Sequence, residues 1–155
     1  MWCQERPDTV PVNCGYRVTV IDVAGYSGTP LARKLGIAPE SSVLLDAAPA
    51  GFAVPGLPGG AVVHRRPGRG PYDVILTFYP TSARLRARYA RLHPLTTPAG
   101  ALWVAWPKRG SGVPTDMTEN VVRDHALANG RVDVKVCAVD DTWSGLKLVI
   151  RKADR

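Results

Sequence analysis

The stretch "VDVKVCAVDDTWSGLKLVIRK" runs from Val132 to Lys152. Two apolar-rich runs, 132–140 and 145–152, flank the short polar turn "DTWS". A connection this short joins antiparallel neighbours, because a parallel pair needs a crossover of a dozen or more residues. The chain therefore ends in a hairpin, and what precedes it has a different rhythm.

Upstream, "TDMTENVVRDHALANG" (115–130) predicts a helix, with Asp116 and Glu119 at a variant capping-box spacing and Gly130 at its end. "ALWVAWP" (101–107) predicts a strand. In "TSARLRARYARLHPL" (81–95), Leu85, Tyr89 and Leu92 recur at helical spacing, with Arg84, Arg88 and Arg91 on a different face. "YDVILTFYP" (72–80) and "SSVLLDAAP" (41–49) read as fully buried strands. Between them "AVVHR" (61–65) is a further strand, and "GFAVPGLPGG" (51–60) is loop with at most one helical turn, because its prolines and glycines break anything longer. Thr29 is placed to cap a helix that starts at Pro30, turns Leu31 and Leu35 to the core and ends at Gly36.

Strand and helix thus alternate until the final hairpin, which predicts βαβ units and a mostly parallel sheet. The expected fold class is α/β, a Rossmann-like three-layer sandwich whose sheet ends in an antiparallel hairpin, formed as a single domain by residues 23–155. Residues 1–22 carry two cysteines and two prolines and show no clear helical period. They are expected to be a mobile N-terminal extension, with "YRVTVIDV" (16–23) a strand lacking an evident partner.

A chain of 155 residues suits one domain with a real core. No apolar run approaches the roughly 20 residues that span a bilayer, and "MWCQERPDTVP" lacks an apolar signal core, so neither membrane nor export is indicated. Cys3, Cys14 and Cys137 form an odd set without CxxC spacing, which fits a reduced, cytoplasmic protein. His64, His93 and His125 are too scattered for a metal site, so none is expected. Cys137 lies mid-strand, where a small buried hydrophobe is expected. The net charge is +7, and fifteen of the 20 basic residues are arginines. An arginine-biased surface accounts for this charge, and without a recognisable motif nucleic acid is not the expected partner. Nothing in the pattern specifies an oligomeric state.

In an open α/β sheet, ligands bind beyond the carboxyl ends of the strands. That rule gathers Asp46, Phe78, Trp106, Lys108, Asp140, Asp141 and Trp143 into one candidate cleft. Aromatic walls with a few charges suit a small planar or anionic ligand. The competing reading is that Trp103 and Trp106 are core residues on opposite faces of the sheet, while Lys108 pairs with Asp140 or Asp141 at a solvated edge. "GYSGTP" (25–30) precedes a helix, but capping alone explains its hydroxyls.

"AGYSGTPLARKLGI", "GALWVAWPKRGSGVPTDMTENVVR" and "VDVKVCAVDDTWSGLKLV" resemble the signature stretches of a bacterial family known only as a domain of unknown function, number three thousand and fifty-two. The resemblance runs from about Ala24 to Lys152. It implies a compact cytosolic domain and supplies no activity, substrate or cofactor. The predicted sheet also resembles that of a truncated class I methyltransferase. A cofactor site of that kind uses a glycine-rich turn after the first strand and an acidic residue ending the second. Here "LLDAAPAGF" offers one glycine, Gly51, beside Pro49, and "AVVHRR" ends basic. No cofactor is therefore expected, and S-adenosylmethionine-dependent methyl transfer is not. The leading expectation is a non-catalytic binding or regulatory protein that uses the strand-exit cleft, with no catalytic residue assigned. The alternatives are a small enzyme of unassigned chemistry in the same cleft, and an arginine-mediated nucleic-acid binder.

Overall fold

The computed structural model describes residues 29–155. The predicted extension 1–22, the run 16–23 and the loop 25–28 lie outside the described residues. Three helices and six strands follow in order: α1 (Leu31–Leu35), β1 (Ser42–Asp46), β2 (Val62–His64), β3 (Tyr72–Phe78), α2 (Ser82–Leu92), β4 (Thr96–Pro107), α3 (Glu119–Ala128), β5 (Arg131–Ala138) and β6 (Trp143–Ile150).

β1, β3 and the second half of β4 are near-continuous apolar runs, the pattern of strands covered on both faces. They form the centre of one sheet with order β2-β1-β3-β4-β6-β5. β1 is parallel to β2 and β3, and β3 is parallel to β4. β6 runs antiparallel to both β4 and β5, so β5 has the same direction as β4. The terminal hairpin is thus inserted with its second strand innermost.

Alternation along the strands sorts side chains into two cores. On one face Leu44, Ile75, Leu102, Val104 and Trp106 pack with Leu85 and Tyr89 of α2 and Val122 of α3. On the other, Val43, Leu45, Leu76, Phe78 and Trp103 pack with Leu31 and Leu35 of α1. The indole N–H of Trp103 donates to the carbonyl of Leu35 at 3.1 Å. This satisfies one of the carbonyls that a helix leaves open at its C-terminus, and it ties the five-residue α1 to the middle of the sheet. Gly36 follows with φ 79°, the left-handed conformation that ends a helix at little cost to glycine.

Three local features differ from the sequence expectation, while the connection 47–61 is the expected loop and contains no helix. β4 begins at Thr96 rather than Ala101, because Thr96 pairs with Tyr72 before a register shift. Trp143 and Ser144 belong to β6 rather than to the turn, opposite Pro107 and Trp106 of β4. Finally, the N-cap of α3 is Thr118, whose hydroxyl accepts from the Val121 N–H. Asp116 instead accepts from the N–H of Ser82 at 2.7 Å and from its hydroxyl at 2.5 Å. The carboxylate goes to the open donors of the first turn of α2, and those bonds hold its carboxyl below the usual carboxylate range. Among the described residues no helix is long and apolar enough to cross a membrane.

Candidate functional site

The carboxyl edge of the sheet begins with Asp46, the last residue of β1. It is 2% exposed. One carboxylate oxygen accepts from Arg88 of α2 at 2.9 Å and the other accepts from the hydroxyl of Thr77 at 2.9 Å. Both oxygens are therefore engaged by protein groups. The backbone then turns sharply, and Ala47 adopts φ 56°, where glycine is the favoured residue. Tyr79 is fully buried on the same side, and its burial pushes the phenol up to about 12. It stays protonated at neutral pH.

The exits of β4 and the β5–β6 turn are stitched together. Pro107 lies opposite Trp143, and the Lys108 N–H donates to the carbonyl of Thr142 at 2.7 Å. Asp140 accepts from the N–H groups of Thr142 and Trp143, both at 2.8 Å, and so shapes the turn. Trp106, Lys108, Asp140, Asp141 and Trp143 thus share one edge of the sheet. The sheet itself separates them, however. Trp106 is buried in the core under α2 and α3, whereas Trp143 packs on the α1 face.

On that face the rings form a chain. Trp143 meets Phe78 edge-on with centroids 5.1 Å apart, and Phe78 meets Phe52 in the same way at 5.0 Å. Phe52 escaped the sequence reading because it sits in a proline- and glycine-rich loop with no period. Its only signal is that it is the one aromatic residue in that loop. The chain backs a cleft of about 450 Å³ between the loop 49–55 and the turn 139–143. Phe52, Trp143, Pro49 and Pro55 supply apolar walls, and Asp140 supplies a carboxylate. Of the seven residues predicted from sequence, Asp140 and Trp143 line this cleft, and Phe78 lies behind it. Asp46 and Trp106 lie across the sheet from it. Lys108 and the exposed Asp141 stand at the edge without lining it.

Other reactive groups are quiet. Burial pushes the Cys137 thiol up, against a smaller opposing pull from Lys34 and Lys135, so a thiolate is disfavoured. His93 stacks on the Tyr89 ring with centroids 5.7 Å apart, and His125 meets the same ring edge-on at 4.7 Å. No group of three potential metal ligands occurs among the described residues.

No protein-family model matches this chain, and no curated protein does. Solved structures do match. A SAM dependent methyltransferase from Aquifex aeolicus is 14% identical, with a TM-score of 0.56 over 78% of this chain and 88% of that one. The magnesium protoporphyrin IX methyltransferase of Synechocystis PCC 6803, with bound SAM, is 12% identical, with a TM-score of 0.50 over 78% and 74%. The fold is α/β and Rossmann-like, similar to that of these methyltransferases. The strand order and the antiparallel insertion of β6 are the observations that agree with this. The likeness is one of architecture.

Proposed function

We propose that this domain binds a small, flat, largely apolar molecule in the strand-exit cleft and does not transfer a methyl group from S-adenosylmethionine. The observation that carries the reading is the cleft itself. It is walled by Phe52 and Trp143, and it lies where α/β sheets of this type hold ligands. The β1 exit supports the second half of the proposal. Asp46 is consumed by Arg88 and Thr77, and the loop behind it presents Pro49 and Ala50 where close approach of a cofactor to the backbone would call for glycine. Asp140 gives the cleft one polar anchor, which favours a ligand carrying a hydrogen-bond donor. In this reading the protein is a binding or regulatory module of the methyltransferase fold.

The test is native mass spectrometry of the freshly purified chain, together with melting scans against aromatic heterocycles and S-adenosylmethionine. A ligand present at 100 times its dissociation constant adds about 2.7 kcal/mol, which a melting scan resolves easily. An adduct or melting shift that Trp143→Ala abolishes is expected, with no shift from S-adenosylmethionine. A bare chain that responds to no heterocycle would remove the ligand-binding reading. A saturable shift with S-adenosylmethionine would reinstate methyl transfer.

A further inference from the structure

A second concavity lies away from the cleft, at the amino ends of β1 and β3. It measures about 290 Å³ and is bounded by Ser42, by His64 at the end of β2, by Tyr72 at the start of β3, and by Arg66 and Arg69 of the loop between β2 and β3. We propose that this concavity is a binding site for a phosphate monoester.

Charge is the first argument. Between Ala47 and Thr115 Asp73 is the only acidic residue, while the same span holds eight arginines and one lysine. Asp73 itself accepts from the N–H of Ser42 at 2.8 Å, a backbone bond that fixes it beside β1. Among the described residues Arg66 and Arg69 make no hydrogen bond or ion pair. Their neighbour Arg65, by contrast, donates to the carbonyl of Phe52 at 2.5 Å and is a structural residue. Two of the three loop arginines therefore present free guanidinium forks to the same hollow. A guanidinium matches two phosphate oxygens at once, which a single ammonium does not. The Ser42 hydroxyl and the His64 imidazole add hydrogen-bonding groups at the rim.

Preorganisation is the second argument. An exposed arginine pair on a loose loop loses entropy when it closes on an anion. This loop is pinned from beneath. The hydroxyl of Tyr72 accepts from the Gly68 N–H at 2.9 Å, and the His64 and Tyr72 rings meet at 5.5 Å. Gly70 has φ 70°, and a side chain there would come within 2.9 Å of the Leu95 carbonyl. Gly68 is likewise close, with a Cβ position 3.1 Å from the Tyr72 hydroxyl. The two glycines let the loop lie flat on Tyr72 and Leu95, so that Arg66 and Arg69 leave a fixed backbone. No residue lines both this concavity and the Phe52–Trp143 cleft, and the two proposals are tested separately.

Isothermal titration of the full chain with ribose 5-phosphate, inorganic phosphate and sulfate tests the proposal. One saturable site is expected for the phosphomonoester, with a dissociation constant of about 1 mM or tighter. Inorganic phosphate should bind more weakly at the same site, since it lacks the organic part. Arg66→Ala and Arg69→Ala should each weaken binding by about tenfold or more, and the double variant should abolish it. Arg84→Ala removes the same charge from the exposed face of α2, outside the concavity, and should change affinity less than about twofold, given the screening of exposed charges. Trp143→Ala should leave the titration unchanged. All four residues to be replaced are at least partly exposed, so melting curves should confirm intact folding. Absence of saturable heat overturns the proposal, and so does binding that survives in the double variant. A loss in Arg84→Ala equal to that in Arg66→Ala would also overturn it, because net charge rather than the concavity would then be responsible.

Discussion

Arg131 offers the sharpest test of how this fold handles a buried charge. It is the first residue of β5 and is fully buried. Its guanidinium donates to His93 Nδ1 at 2.8 Å, to the His93 carbonyl at 3.0 Å, to the Thr96 hydroxyl at 2.5 Å and to the Leu148 carbonyl at 3.2 Å. Among the described residues every acceptor is neutral, so the cation is held there by dipoles, and it clamps β5 and β6 to the start of β4. The perturbation is Arg131→Met, which keeps most of the volume and removes every donor. Two of the orphaned acceptors, the imidazole and the hydroxyl, can reorient. The two carbonyls cannot, and a buried acceptor left unmet costs about 1–3 kcal/mol. Removing the charge also relieves a desolvation penalty of several kcal/mol, which offsets part of the loss. The balance is a destabilisation of about 3 kcal/mol, or about 10 °C in melting temperature for a domain of this size. Urea denaturation is the direct assay. A variant that unfolds within about 1 kcal/mol of the parent would show that desolvation cancels the four bonds, as happens in some buried ion pairs.

The same clamp sets a pH dependence. Burial first, and the Arg131 charge second, lower the pKa of His93 from its ordinary value. The folded state therefore binds fewer protons than the unfolded state just below about pH 6.5. Stability is at its full value above that pH and falls as the pH drops toward the folded pKa. Burial and Arg86 lower His125 in the same direction, so it adds to the effect. Arg131→Met should make the acid limb shallower without abolishing it, because burial of His93 remains.

Two further outcomes follow from the packing. Asp46→Asn should destabilise the fold by about 1–3 kcal/mol, since it strips the counter-charge from Arg88, and Asp46→Asn with Arg88→Met should lose less than the sum of the two alone. Additive urea midpoints would show that the pair is not coupled. Trp103→Phe should cost about 2 kcal/mol through the vacated volume and the orphaned Leu35 carbonyl, and it should speed hydrogen exchange in α1 specifically. Unchanged exchange in α1 would mean that the indole bond does not hold that helix.

Much of the architecture was legible from local pattern. The runs 43–46, 72–78 and 101–107 are near-continuously apolar, so they were expected to be covered on both sides. Leu85, Tyr89 and Leu92 repeat at helical spacing and are all buried. The brevity of the final turn forced an antiparallel pair, and alternation alone placed Trp103 and Trp106 on opposite faces. These features are consequences of backbone periods of 2 and 3.6, which a sequence displays directly.

Tertiary structure alone decided which polar groups meet. Asp46 finds Arg88 at a separation of 42 positions, Asp116 finds Ser82 at 34, and Arg131 finds His93 at 38. No local period encodes those distances, because each depends on strand order and on how far a flexible side chain reaches across a neighbouring element. The same is true of the cleft. Sequence placed seven residues at the carboxyl edge, but only the fold could divide them between two faces. The α2–α3 side is closed over Asp46 and Trp106 by two helices of 11 and 10 residues. Among the described residues the opposite side carries a five-residue helix and a helix-free loop, which leaves Phe52 and Trp143 partly exposed along the cleft.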